Sequence, residues 1–176
     1  MKVHTHRLLF AVTALVWIAL DQLTKAWALS LDGRVINVVW TLRINQTENF
    51  GASFSLGAGW GAWIGVAALL VVGFLVWKGT TLRSRLGAIA LGLIVGGALG
   101  NVFDRMFRGE TGFMSGGVVD FIDFQWWPIF NFADIGIVVG SILFVFVVMR
   151  GDDEVNEDSS AGGDELVAKE ADHGDA

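Results

Sequence analysis

The sequence predicts an α-helical integral membrane protein with four transmembrane helices, both termini in the cytoplasm, and a small sheet lying on the opposite membrane surface. Composition is the first reason: of 176 residues, 53% are hydrophobic and only 17% charged, and the mean hydropathy is +0.57. Those values are far from a soluble domain of this size. Four apolar stretches, near residues 8–29, 60–77, 86–103 and 129–149, approach the length of a bilayer crossing. Lys2 and Arg7 fall on the same side as Lys78, Arg83 and Arg85 of one short loop, and Trp60 and Trp77 close the second stretch as interfacial rings do.

The first stretch, LLFAVTALVWIAL at 8–20, follows Lys2 and Arg7. Ala26-Trp27-Ala28 beyond it raises the alternative of a cleaved signal peptide, but DQLTK is a poor approach to a cleavage site, and continuing to Leu29 gives a full span. Asp21 and Lys25 lie four apart on one face of that helix, with Thr24 beside them. They read either as an ion pair snorkelling at the membrane edge or as part of a site.

RVINVVWTLRIN, at 34–45, is rich in β-branched and aromatic residues and too short and polar to cross, so it reads as one strand. A second extended run is expected over Phe50–Leu56, where Asn49 and Gly51 mark the turn into it, or else contribute to a site. The second span follows at 60–77. The loop KGTTLRSR supplies Lys78, Arg83 and Arg85 and is expected in the cytoplasm, together with the N-terminus.

In the third span, Gly92, Gly96 and Gly100 recur every four residues, leaving one face almost bare. Such a face suits close helix packing or a lateral opening for a substrate within the membrane. Asn101, Asp104 and Arg105 follow on one side of its end. The only proline, Pro128, suits the first turn of the fourth helix, on which Asn131 and Asp134 share a face. GVVDFIDFQWWPIFNFAD, at 117–134, sets acids among bulky apolar residues, where a charge is costly unless paired or put to use. If VVDFIDF is extended, Asp120 and Asp123 point to opposite faces.

The chain has no Cys, and its His residues are His4, His6 and His173, near the two ends. Thiolate chemistry, disulfides and internal His-based sites are thereby excluded, so acid–base chemistry falls to carboxylates or Lys. The net charge of −6 comes from residues 151–176, which hold ten acids against Lys169; the body carries eight acids and eleven bases, a net +3. That acidic, Gly-rich segment reads as a disordered cytoplasmic tail after a membrane domain of residues 1–150. The bases form no stripe, which argues against nucleic acid as a partner.

Four crossings bring Asp21, Asn49, Asn101, Asp104, Arg105, Asp120, Asn131 and Asp134 to one membrane face. The blocks that carry them are DQLTK at 21–25, NFGASFS at 49–55, GGALGNVFDR at 96–105, GGVVDF at 116–121 and FNFAD at 130–134. In order and spacing they resemble the lipoprotein signal peptidases (signal peptidase II), bacterial aspartic peptidases of the membrane. The resemblance implies four transmembrane helices with a small extracytoplasmic β-cradle, in the bacterial inner membrane. It implies Asp120 and Asp134 as the catalytic dyad, with Asn49, Gly51, Asn101, Asp104, Arg105 and Asn131 lining or supporting the site, and Asp21 and Lys25 in its framework. The implied substrate is a prolipoprotein whose Cys carries diacylglycerol, met in membrane lipid and cut just before that Cys. A monomer without metal or cofactor is expected. The acidic tail departs from the family core. Two rival readings remain at this point: a small proton-coupled channel or transporter using intramembrane carboxylates, and a Ser/Lys peptidase built from Lys25 with Ser53 or Ser55.

Overall fold

The computed structural model describes residues 2–51, 61–79, 84–109 and 114–150. Helix α1 runs Lys2–Leu29, strands β1 and β2 are Ile36–Val39 and Leu42–Asn49, α2 is Gly61–Gly79, α3 is Arg85–Phe107, β3 is Val118–Asp123 and α4 is Phe132–Arg150. Three of these helices, α1 from His4, α3 and α4, are long and apolar enough to cross a membrane, and α2 carries a shorter apolar stretch, Trp63–Trp77. Leu8, Leu15 and Leu23 on α1 and Ile142 and Val145 on α4 are exposed. In water such surface would be unfavourable; against lipid tails it is not.

Helix α3 lies at the centre and packs more extensively on α1 than on α2. Its small residues make this possible. A Cβ at Gly92 would lie 2.7 Å from the Thr13 side chain, and one at Gly96 would lie 2.8 Å from the Ala14 carbonyl. At Gly100 it would reach the Asp21 carboxylate at 2.5 Å. The bare face is therefore closed by the protein's own first helix and offers no lateral opening. On the other side, Gly97 of α3 meets the Ala133 backbone, and Gly140 of α4 meets Ala90 and Ile94 of α3. Trp17 ties α1 to the start of α4, stacking on Phe132 with ring centroids 4.5 Å apart and donating its indole N–H to the Phe132 carbonyl at 3.2 Å.

The three strands form one antiparallel sheet in the order β1-β2-β3. Residues 34–45, expected as one strand, hold most of a hairpin instead: Val39 pairs with Leu42, and Trp40 and Thr41 make the turn. Trp40 has φ +50 and is 99% exposed. With no Gly, Asn, Asp or Pro at the bend, the sequence carried no turn signal there. Thr47 pairs with Asp120 and Asn49 with Val118, which brings the end of β2 beside the VVDF block. Most of the second extended run expected over 50–56 lies outside the described residues, as do the tail, residues 80–83 and residues 110–113 of the 106–117 connector.

The fourth helix begins later than expected. Pro128 precedes it, because Phe130 still pairs with Ile122 of β3 through backbone hydrogen bonds. The third helix runs one turn further than expected, so Asp104 and Arg105 belong to it.

Candidate active site

Asp120 sits on β3, 3% exposed, and Asp134 lies in the first turn of α4. Both line one cavity of about 630 Å³, together with Asn49, Gly51, Asn101 and Arg105. Most of the remaining wall is apolar, from Ile64 of α2, Trp127 to Phe130, and Ile135, Ile137 and Val138 of α4. Few polar groups converging in an apolar hollow is the usual form of a ligand site.

The beginning of α4 explains why Asp134 faces this cavity. Asn131 is the N-cap: its Oδ1 accepts the Asp134 N–H at 3.1 Å, and the Asp134 Oδ2 accepts the Asn131 N–H at 3.1 Å. This reciprocal capping box satisfies two of the free N–H groups at a helix start. Asp134 is thus the helix N-terminal acid that the dipole favours, and it also has an oxygen free for another partner. That second oxygen, Oδ1, accepts from Asn101 Nδ2 at 2.9 Å.

Asp120 receives two amides, Asn131 Nδ2 at 2.7 Å on Oδ1 and Asn49 Nδ2 at 3.1 Å on Oδ2. The three asparagines are held in fixed orientations by groups that can only donate. The Oδ1 of Asn49 accepts the Gly51 N–H at 3.1 Å, that of Asn131 the Asp134 N–H, and that of Asn101 the Lys25 ammonium at 3.0 Å. Each amide nitrogen is therefore turned toward a carboxylate. Burial pushes the Asp120 carboxyl up to about 6, and the Asp134 charge adds to the rise against the opposing pull of the two amides and Lys25.

Behind the cavity, Lys25 is fully buried and bridges Asp21 and Asp104 at 2.8 Å each. The pair does not snorkel, because the bare Gly100 position lets Asp21 turn inward against α3. Thr24 takes no part in this bridge; its hydroxyl donates to the carbonyls of Leu20 and Asp21 in its own helix. Gln22, absent from the sequence-based candidates, joins Asp21, the Gly100 carbonyl and Asp104 through its Nε2 at 3.1 to 3.2 Å. Its place in the DQLTK block was the available signal. Arg105 donates from Nη2 to the Gly51 carbonyl at 2.9 Å, while its buried Nε has no partner among the described residues.

Asp123 faces away from this group. It binds Arg43 Nε at 2.6 Å and Asn45 Nδ2 at 2.9 Å across the sheet. Burial alone would raise its carboxyl, but these hydrogen bonds and the Gln125 N–H outweigh it and hold the group below the usual carboxylate range. Against the Ser/Lys alternative, all three Lys25 N–H bonds are engaged by Asp21, Asp104 and Asn101; Ser53 and Ser55 lie outside the described residues. Among the described residues no three His, Asp or Glu side chains gather as a metal would need.

An apolar bundle that ends in a hollow carrying two carboxylates fits a multi-pass membrane protein with a ligand site at one end. The model of the family described as signal peptidase (SPase) II matches residues 13–150. A lipoprotein signal peptidase of Rhodococcus jostii is 45% identical over 151 residues, covering 84% of this chain and 76% of that protein. That of Mycobacterium leprae is 40% identical over 154 residues, covering 84% and 74%. A solved bacterial membrane enzyme, determined by the in meso method at 2.3 Å resolution, superposes with a TM-score of 0.70 at 26% identity, covering 82% of this chain and 90% of the other. The chain belongs to the signal peptidase II family, a family of bacterial membrane proteases.

Proposed function

We propose that this chain is an aspartic endopeptidase that removes signal peptides from prolipoproteins, cutting just before a diacylglyceryl-modified Cys, with Asp120 and Asp134 as its reacting pair. The observation that carries this reading is the shared Asn131. One residue caps α4, donates its side-chain amide to Asp120 and exchanges backbone hydrogen bonds with Asp134, so both carboxylates face the same hollow.

Two carboxylates at one site do not readily ionise together, so one keeps a proton. Asp120, the deeply buried member with its carboxyl pushed up to about 6, is the proton holder. Asp134 takes a proton from a water placed between them, and that water attacks the scissile carbonyl. The Asp120 proton stabilises the developing oxyanion and then passes to the leaving amine. Arg105 and Asn49 line the same cavity and would hold the peptide backbone, while the apolar wall of α4 suits acyl chains.

The topology that serves this reaction has four crossings, with both termini in the cytoplasm and the site on the extracytoplasmic face of the inner membrane. It makes the 151–176 segment dispensable, and a chain ending at Gly151 is expected to cleave at the wild-type rate. A proton-coupled channel would need carboxylates strung across the bilayer, whereas the buried acids described here gather at one end of the bundle. The test is to incubate the purified chain with a diacylglyceryl-modified precursor and its unmodified twin. Cleavage of the first alone, abolished by Asp120→Asn or Asp134→Asn in protein that still inserts in the membrane, is the expected result. Normal turnover by either variant removes the pair from the reaction.

A further inference from the structure

The ammonium of Lys25 uses its three N–H bonds on Asp21, Asp104 and Asn101. The two carboxylates it joins each grip a backbone N–H elsewhere. Asp21 Oδ1 accepts from Ala133 at 2.9 Å, and Asp104 Oδ2 accepts from Val119 at 3.2 Å. Ala133 immediately precedes Asp134, and Val119 immediately precedes Asp120. One buried cation thus ties together the peptide units that carry both aspartates, and its third bond sets the Asn101 amide against Asp134. Stability is a weak reason to bury three charges, since apolar side chains of similar volume often serve as well or better. Position is a stronger one, because a displacement of about 1 Å at a reacting group can lower a rate on the order of 100-fold.

We propose that Lys25 is a positioning residue of the reaction, the centre of a clamp that sets the spacing of Asp120 and Asp134 and the orientation of Asn101. This rests on the reading of those aspartates as the reacting pair. The clamp acts from behind the cavity wall, so its loss changes turnover and leaves substrate affinity nearly untouched. The Lys25 charge is also among the influences that hold the Asp120 carboxyl down, where Asp134 pushes it up and Arg105 faces the same pair.

The experiment uses the full chain and a diacylglyceryl-modified precursor. Lys25→Met is expected to lower kcat roughly 100-fold with KM within about threefold. It should also move the alkaline limb of the pH–rate profile to higher pH, which a merely structural role would not do. Lys25→Gln returns one amide donor to Asn101 and should recover part of kcat at the same melting temperature as the Met variant. Should Lys25→Met fail to fold, the double variant Asp21→Asn/Lys25→Met removes a charge pair together and is read in the same way. A folded Met or double variant with wild-type kcat and an unmoved limb, while Asp120→Asn and Asp134→Asn are inactive, overturns the clamp alone. Activity in the aspartate variants themselves overturns the reaction reading and the clamp with it.

Discussion

Asp120→Asn should abolish cleavage and yet raise the stability of the protein at neutral and alkaline pH. In the folded chain the carboxyl is pushed up to about 6 from 3.8, mainly by burial and then by Asp134. The folded state therefore binds this proton more tightly than the unfolded state does. The associated stability is fully present below pH 3.8 and is lost as pH rises through about 6. A rise of roughly two units at about 1.4 kcal/mol per unit amounts to about 3 kcal/mol of ionisation strain at pH 8.

The amide removes that strain but cannot accept from both Asn49 and Asn131, whose nitrogens both point at the carboxylate. One hydrogen bond is lost, which offsets roughly 1.5 kcal/mol. The variant should then be about 1.5 kcal/mol more stable than wild type at pH 8, a melting shift of roughly 3 to 6 °C for a chain of this size. At pH 4 the carboxyl is protonated, the advantage is gone, and the variant should melt lower. Thermal melting of the two proteins in detergent from pH 4 to 8, taken as their difference, isolates this group from the others that titrate. A difference that stays flat with pH, or a variant less stable than wild type at pH 8, would refute the argument. On the proposed role of Asp120 in the reaction, cleavage should fall below detection in the same preparations, a loss of at least roughly 1,000-fold.

Asn131→Ala removes the α4 cap and the amide donor to Asp120 together. It should cost about 1 kcal/mol in stability and lower kcat on the order of 100-fold, measured by melting and by precursor cleavage. Asp123→Asn should leave cleavage within about threefold of wild type while lowering stability by roughly 1–2 kcal/mol, because it weakens the contacts with Arg43 and Asn45 on the far face of the sheet. Gly96→Val would drive a side chain into the Ala14 backbone 2.8 Å away, and the expected result is a loss of roughly 1–3 kcal/mol or failure of the chain to accumulate.

The membrane class of this protein was written in its composition, and its helices in runs of apolar residues, because lipid solvates a side chain by its own chemistry whatever its partners are. The blocks around Asp21, Asn49, Asn101, Asp120 and Asp134 likewise carried the family in the sequence alone. That Asn131 and Asp134 share one face of the fourth helix was legible too, since residues three apart on a helix are neighbours.

Only the tertiary structure decided what those residues do to one another. A glycine stripe reads the same whether it faces lipid or a neighbouring helix; the approach of Ala14 and Thr13 to α3 is what closes it. An Asp–Lys pair four apart reads the same at a membrane edge and in a core, and here Asp104, supplied by α3, draws it inward. The orientation of the three asparagine amides, and with it the meeting of Asp120 and Asp134 on one cavity, depends on donors from α1, from Gly51 just beyond β2, and from α4. Periodicity and hydropathy register only a residue's near neighbours along the chain, and the contacts that make this site join residues far apart in sequence.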